Sequence, residues 1–257
     1  MKEKDFTPTY QRNFPNVPYP SAALPNATIK SGGCGACCGL MIVENLTAAR
    51  WKMADWAKWV RGTGARVNGG TNMAVLGKAI AKKYDLDFRT NNSEAELAAC
   101  LKAGGLAVAN NCRAYGSWRG LFSTGGHFVV VLGLSGGKYI VSDPDWYDGK
   151  YNGSSSLSKW RAARLTRSGK YLLVDAANLH KATVNASPNY YLFMPSDKPT
   201  VRTKDEIGIT IDGKTQDWFG VLDGSTTMVP LRTIAEALGC TVQWDGKTNT
   251  AKIEKGN

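Results

Sequence analysis

Residues 124–145 read TGGHFVVVLGLSGGKYIVSDPD. Two apolar runs flank Gly136 and Gly137, a pair that is typical of a tight turn between antiparallel strands. We therefore predict a hairpin whose first strand begins at His127 and whose second strand ends at Asp143. Pro144 follows directly, and it stops the strand because it keeps the preceding residue extended and lacks an N–H donor.

Outside this hairpin, the apolar pattern predicts helices first and strands afterwards. A helical period indicates helices over residues 34–46, 53–60, 71–84 and 93–103, the last of them beginning with a Ser-x-x-Glu capping box. Short Val-, Leu- and Tyr-rich runs predict further strands over residues 106–110, 170–175 and 189–194. This order is typical of an α+β fold. The first thirty residues, rich in Pro and Asn, read as an irregular arm.

A domain boundary is predicted near residue 196. Pro195 and Pro199 flank polar residues there, and the sequence after them reads as strand, IDGK turn, strand, helix and hairpin. We therefore predict two domains, residues 1–196 and residues 197–257, the second being a small β/α module.

The length and composition exclude several classes of protein. A chain of 257 residues with 43% apolar and 21% charged residues has an ordinary globular composition, which excludes wholesale disorder. No run approaches 18 consecutive apolar residues, so no membrane-spanning helix or stable membrane insertion is expected. The first residues, MKEKDFTPTYQRNF, lack the apolar segment of a secretory signal. We therefore expect a protein that stays in the cytoplasm until something releases it.

The charge is strongly positive and unevenly distributed. The chain carries a net charge of +11. Residues 197–257 hold eight Lys/Arg and nine Asp/Glu, so residues 1–196 carry +12. A surplus of this size favours an anionic partner such as nucleic acid, anionic lipid or a bacterial wall polymer.

Cys34 is the candidate nucleophile. It lies in SGGCGACCGLMI, residues 31–42, at the predicted start of a helix, where the helix dipole and unpaired amides favour the thiolate. The flanking glycines leave room for a substrate backbone. Of the six cysteines, Cys37 and Cys38 read as small core residues, and structural disulfides are not expected without a signal peptide.

His127 is the candidate base, because only two histidines are present and it alone follows two glycines at the start of a strand. Asp143 ends the neighbouring strand and is positioned to orient the imidazole, which gives a Cys–His–Asp arrangement for nucleophilic catalysis. Asp145 competes for the orienting role. His180, in AANLHKATV, reads as a surface or structural residue.

The ordered motifs resemble the papain-like cysteine peptidases of the bacteriocin-leader (double-glycine) peptidase group. The resemblance runs from residue 8 to about residue 145 and rests on GCG-x₅-MI, on the GGTNMAVLGKAIAKKYDLDF stretch, and on GGHFVVVLG followed by DP. It implies a papain-like fold, with N-terminal helices packed on an antiparallel sheet. It also implies a nucleophile at Cys34, a base at His127, an orienting carboxylate at Asp143 and an oxyanion-hole glutamine, matched by Gln11 in TYQRNFPNVPY.

The tail resembles a different family. Residues 223–253, DGSTTMVPLRTIAEALGCTVQWDGKTNTAKI, are similar to the small domain named for the N-terminus of copper amine oxidases, which recurs in surface proteins of Gram-positive bacteria. The tail has no His and one Cys, Cys240, so no copper or other cofactor is expected. This domain is expected to bind the wall or to form homo-oligomers.

Together these features predict a peptidoglycan hydrolase of the phage endolysin type. Such a bacteriolytic, antimicrobial enzyme would accumulate in the cytoplasm of the infected cell, be released through a holin, and cleave amide bonds of wall peptides. Its expected partners are peptidoglycan and anionic wall polymers rather than nucleic acid. An N-acetylmuramoyl-L-alanine amidase with the same triad is the nearest alternative.

Non-hydrolytic alternatives use the same residues differently. Cys34 and Cys37 form a CxxC pair, which is typical of thiol redox proteins. Cys34, Cys37, Cys38 and His127 include the residue types that bind zinc, but without a second Cys-x-x-Cys or paired His. A non-catalytic wall-binding protein with the same fold is the third alternative.

Overall fold

The computed structural model describes residues 6–196, 206–223, 226–246 and 248–255. The chain divides into two compact units, residues 1–196 and residues 197–257. Residues 197–205, which follow the predicted boundary, lie outside the described residues. Each unit has its own arrangement of helices and strands.

The helices of the first unit follow a short 3₁₀ turn at Gln11–Asn13. They are α1 (Ile29–Gly32), α2 (Cys34–Leu46), α3 (Met53–Gly62), α4 (Met73–Tyr84), α5 (Glu94–Lys102), α6 (Ser156–Ala162) and α7 (Ala176–Thr183). The four helices predicted from the sequence are confirmed, and the side chain of Ser93 caps α5 by accepting the N–H of Glu96. Among the described residues, no helix combines the length and hydropathy needed to cross a bilayer.

Seven strands of this unit form one antiparallel sheet, and two short ones form a separate hairpin. The strands are β1 (Arg66–Val67), β2 (Gly70–Thr71), β3 (Leu86–Asn91), β4 (Leu106–Asn111), β5 (His127–Ser135), β6 (Lys138–Ser142), β7 (Leu165–Ser168), β8 (Tyr171–Asp175) and β9 (Tyr190–Pro195). The large sheet has the order β3-β9-β4-β5-β6-β8-β7, and β1 pairs with β2. The predicted β5–β6 hairpin is confirmed, with its turn at Gly136 and Gly137.

The sheet is buried on both faces. Val130 of β5 belongs to the cluster that includes α2, α3 and α4, whereas its neighbours Val129 and Val131 belong to the cluster that includes α5 and α7. Successive residues of a strand point to opposite faces, so the uninterrupted apolar run of β5 reflects its double burial. The predicted α+β architecture, with N-terminal helices on an antiparallel sheet, is confirmed, and α5 and α7 add a second helical layer.

The N-terminal arm is mostly irregular, as predicted, but it packs into the unit. Phe6 and Tyr19 are buried in the α2 side of the core. The carbonyl of Phe6 accepts hydrogen bonds from Lys170 Nζ at 2.8 Å and from the Tyr171 hydroxyl at 3.0 Å. The arm therefore joins the beginning of the unit to β8.

The second unit follows the predicted order of strand, turn, strand, helix and hairpin, with one further short strand before the helix that was not predicted. Its elements are β10 (Glu206–Ile211), β11 (Lys214–Asp223), β12 (Thr226–Met228), α8 (Leu231–Ala237), β13 (Cys240–Asp245) and β14 (Thr250–Lys255). Strands β10, β11 and β12 form one antiparallel sheet, and β13 and β14 form a hairpin. Gly239 follows α8 with φ +77°, a conformation that favours glycine and ends the helix.

Candidate active site

Cys34 is the first residue of α2. Gly33 precedes it, and a Cβ at Gly33 would lie 2.5 Å from the Ile29 carbonyl oxygen, so only glycine fits the tight junction between α1 and α2. The first amides of a helix have no partner within it, and their dipole favours a negative charge. Cys34 is partly exposed, whereas its neighbours Cys37 and Cys38 are fully buried.

His127 lies at the start of β5 and Asp143 directly after β6, so the antiparallel pairing of these strands brings the two side chains together. His127 Nε2 is 2.7 Å from Asp143 Oδ1, and both residues are buried. The imidazole also interacts with the Cys34 thiol, and the two groups shift each other's pKa. The three residues thus form a contact chain of thiol, imidazole and carboxylate. In the serine-protease triad, histidine Nε2 faces the nucleophile and Nδ1 faces the aspartate. In this chain it is Nε2 that faces the aspartate.

The carboxylate of Asp143 is held by four donors. Oδ1 accepts from His127 and from the backbone N–H of Asp145 at 2.9 Å, and Oδ2 accepts from Lys150 Nζ at 2.7 Å and from the Tyr151 hydroxyl. Although burial favours the neutral acid, the charges of Lys150 and His127 hold the pKa of Asp143 well below its usual range. The site therefore contains a fixed and ionised carboxylate.

Asp145 has a different role. Its side chain accepts from Arg12 Nε at 2.7 Å and lies 3.4 Å from Lys150 Nζ. Of the two aspartates considered from the sequence, Asp143 contacts His127, while Asp145 joins the N-terminal arm to the same loop.

The charges of the site favour a thiolate–imidazolium pair. Burial raises the pKa of Cys34, but its hydrogen bond to His127, the imidazolium charge and the backbone N–H groups of Phe128 and Gly35 outweigh this and lower it overall. Burial lowers the pKa of His127, but Asp143 and Cys34 raise it to about 9. Cys34 is therefore the ionisable thiol of the group, and burial raises the pKa of both Cys37 and Cys38.

Gln11 contacts both the loop that carries Asp143 and the turn that precedes Cys34. Its backbone N–H donates to the Pro144 carbonyl at 2.8 Å, and its side-chain Nε2 donates to the Lys30 carbonyl at 2.9 Å, close to the start of α2. The Oε1 atom is buried and has no hydrogen-bond partner among the described residues. Gln11 thus borders both the Asp143 loop and the turn before Cys34, but its side-chain hydrogen bond goes to Lys30.

The sequence did not predict Lys150 and Tyr151, which donate hydrogen bonds to the Oδ2 atom of Asp143. They lie in YDGKYNG, residues 147–153, a stretch that reads as an exposed polar turn. Both are buried. The only signal in the sequence was their proximity to DPD.

The other candidate residues lie away from this group. His180 is on the surface and its Nδ1 is 3.2 Å from Glu94 Oε1. Among the residues described, no group of three or more His, Cys, Asp or Glu side chains is arranged to hold a metal ion. Cys37 is buried and its pKa is raised, which makes it a poor partner for a redox CxxC pair.

Comparison with known proteins gives two kinds of similarity. The family model described as the copper amine oxidase N-terminal domain matches residues 210–257. A solved C39-like peptidase from Bacillus anthracis is 18% identical, with a TM-score of 0.44, and the match covers 70% of this chain and 94% of that one. The peptidase domain of Streptococcus ComA, a bifunctional ABC transporter of a quorum-sensing pathway, is 18% identical, with a TM-score of 0.32 and coverage of 44% and 72%. No curated protein matches the chain.

These similarities agree with the two resemblances noted in the sequence.

Proposed function

We propose that residues 1–196 form a cysteine peptidase in which Cys34 is the nucleophile, His127 the proton carrier and Asp143 the orienting group. The observation that carries this proposal is the chain of contacts from the partly exposed Cys34 thiol through buried His127 to buried Asp143. In such a site the thiolate attacks the scissile carbonyl, and the imidazolium gives its proton to the leaving amine. Water then attacks the acyl-enzyme while His127 acts as base, which releases the acid product and regenerates the thiol.

Gln11 is proposed to stabilise the oxyanion. Its Nε2 donates one N–H to the Lys30 carbonyl, and the second, which no described residue accepts, can donate toward an oxyanion near Cys34. A backbone amide at the start of α2 is the natural second donor. The bond from its backbone to Pro144 fixes the position of Gln11 relative to the Asp143 loop.

We infer that the substrate is bacterial peptidoglycan and that the enzyme is of the endolysin type. The charge of +12 on residues 1–196 supports attraction to anionic wall polymers, and the tail's similarity to a domain found in surface proteins supports a role in wall binding or self-association. Production in the cytoplasm followed by holin-type release belongs to the same proposal. Cleavage of the bond between the lactyl group and the first alanine, the amidase reaction, uses the same chemistry.

The test uses purified Gram-positive sacculi, with turbidity as the measure of lysis and mass spectrometry to identify the new amino termini. Wild-type protein should clear the sacculi and expose amines within the stem peptide or cross-bridge. New amines only at the first stem alanine would replace the endopeptidase by the amidase. If the sacculi are not cleared and no new amines appear, the hydrolase proposal is wrong and a wall-binding protein is favoured.

Four variants test the assignments within the site. Cys34→Ala and Asp143→Asn should lose nearly all activity, whereas the matched controls Cys37→Ala and Asp145→Asn should keep most of it. Activity that survives in Cys34→Ala would refute the nucleophile. Equal losses in Cys34→Ala and Cys37→Ala, together with disulfide exchange activity in the wild type, would support the redox alternative.

A further inference from the structure

Two surface hollows share Arg66, the first residue of β1, as a lining residue. One has a volume of about 500 Å³ and is bordered by Ser31 and Gly32, which precede the proposed nucleophile by three and two positions. The other has a volume of about 680 Å³ and is bordered by Lys58 and Arg61 of α3. Arg66 therefore connects the surroundings of Cys34 with a cationic part of the surface.

The guanidinium of Arg66 is fixed by the backbone around it. Nε donates to the Tyr19 carbonyl at 2.8 Å, and Nη1 donates to the carbonyls of Val67 at 2.8 Å and Gly70 at 2.7 Å. The group also lies 4.6 Å from the centre of the Tyr19 ring. Burial lowers the pKa of Arg66, whereas the charges of Tyr19 and, to a smaller extent, of Cys34 raise it, so the guanidinium interacts electrostatically with both groups.

The second hollow contains three cations and no acid. Pro18, Pro20 and Ala54 complete most of its wall, and no Asp or Glu lines it. Lys58 and Arg61 are exposed and form no ion pair with any residue that the structure describes, in contrast to Arg12, which pairs with Asp145. Unpaired charges of one sign in a concave site concentrate ions of the opposite sign.

The first hollow is less polar. Leu24, Pro25 and Ala27 line it together with Gly32, and the Leu24 side chain is half exposed. A substrate that crosses both hollows would thus meet an apolar surface beside Gly32, two residues before Cys34, and a cationic surface beyond Arg66.

We propose that the hollow of Lys58, Arg61 and Arg66 is an anion subsite, which binds a carboxylate of the peptide whose scissile bond lies at Cys34. This inference rests on the proposed peptidase function and adds a substrate class to it: acidic peptides whose carboxylate is free rather than amidated. Phosphate of a wall polymer offers similar chemistry, and it is tested separately.

The experiment compares two synthetic wall peptides that differ only in one group, a carboxylate or its carboxamide. The proteins are wild type, Lys58→Glu/Arg61→Glu, and the control Lys78→Glu/Lys82→Glu, which makes the same change in net charge on exposed positions of α4. For wild type and control, KM for the carboxylate peptide should be about tenfold lower than for the amide, as expected for two screened charge contacts. The Lys58/Arg61 variant should lose this preference and keep its kcat.

Several outcomes would overturn the subsite. Equal KM values for the two peptides in wild type would exclude a carboxylate ligand. A soluble polyol phosphate that binds wild type no better than the Lys58/Arg61 variant would then exclude phosphate as well. Equal losses in the two double variants would reduce the effect to overall charge.

A binding measurement separates this inference from the peptidase proposal. Calorimetry on full-length Cys34→Ala reports the affinity for each peptide without cleavage. Selective binding of the carboxylate peptide that depends on Lys58 and Arg61, with no cleavage by wild type, would keep the subsite and overturn the peptidase. Cleavage by wild type without selective binding would do the reverse.

Discussion

At the scale of single residues, the most informative feature is how completely Asp143 is enclosed. Its Oδ2 atom is used by Lys150 and Tyr151, which leaves Oδ1 for His127 and one backbone amide. Lys150 and Tyr151 do not touch the nucleophile through any described hydrogen bond, so they are positioning residues. They fix the carboxylate that in turn fixes the imidazole.

Lys150→Met should therefore be costly. Removing one partner of a buried ion pair leaves an uncompensated charge, and we expect the free energy of unfolding to fall by about 3 kcal/mol. Well below the melting temperature, kcat should fall with little change in KM, because the imidazole loses its fixed orientation while the substrate surface is intact. Chemical denaturation and steady-state kinetics check both effects.

Tyr151→Phe is the matched control, because it removes one hydrogen bond and keeps the ammonium. Its expected cost is about 1–2 kcal/mol, with a smaller loss of kcat. Equal effects of the two substitutions on stability and on kcat would contradict the leading role given to Lys150.

The pH dependence of the reaction follows from the raised pKa of His127. In the proposed mechanism the imidazolium protonates the leaving amine, so kcat/KM should fall on the alkaline side near pH 9. Asp143→Asn removes the carboxylate that raises this pKa, so the residual activity should fall at lower pH, toward the ordinary histidine value of 6.5. An alkaline limit that stays near pH 9 in Asp143→Asn would assign it to another group.

Stability should depend on pH in the matching direction. The folded-state pKa of His127 is raised, so its contribution is complete below pH 6.5 and is lost as the pH rises through about 9. The pKa of Asp143 is depressed, so its contribution is present above its unfolded value and is lost only in strong acid. The melting temperature, measured from pH 4 to 9.5, should therefore fall on the alkaline side. In Asp143→Asn this alkaline decrease of the melting temperature should be smaller.

The sequence predicted Cys34, His127 and Asp143 because each is marked locally, by glycines, by a helix start or by a strand end. It did not predict Lys150 and Tyr151, because a polar run with Gly and Asp is typical of exposed turns. Their burial depends on contacts with Asp143 and with α6, which no local pattern records.

At the scale of elements, the strongly periodic helices and strands were predictable and the weakly patterned ones were not. Strand β3 is at the edge of the sheet, where its mostly polar side chains are only partly buried, so it lacks the apolar alternation of β5. Helix α7 is short and carries polar residues on its outer side. The position of β9 between β3 and β4 is a long-range pairing that follows from the whole fold.

The packing of α4 on β3 gives a prediction at this scale. The ring of Phe88 occupies the space that a Cβ on Gly77 would need. Gly77→Ala should therefore lower the free energy of unfolding by about 1–3 kcal/mol, because the ring has to move within a packed core. Urea denaturation of the variant and the wild type measures the difference.

Gly62→Ala is the control. A Cβ there meets nothing within 4 Å, and the residue ends α3. This substitution should be neutral or stabilising by about 0.5 kcal/mol. A comparable loss in both variants would mean that crowding by Phe88 is not the cause.

At the scale of the whole molecule, we expect the first unit to carry hydrolysis and the second to carry wall binding or self-association. A chain that ends at residue 196 keeps the complete sheet and the site, so it should unfold cooperatively and hydrolyse soluble wall peptides at the rate of the full chain. It should bind whole sacculi less well if the tail binds the wall. Peptide kinetics test the hydrolysis rate, and co-sedimentation with sacculi tests wall binding. If the shortened chain co-sediments as well as the full chain, residues 197–257 do not bind the wall.

The order of strands in the large sheet also has a consequence for biosynthesis. Strand β9 is the last element of the first unit to be made, yet it lies inside the sheet, between β3 and β4. Until residue 195 has left the ribosome, both of those strands expose an unpaired edge. A stalled or prematurely terminated chain would therefore be prone to edge-to-edge aggregation, and the native sheet is completed only after translation of this unit has ended.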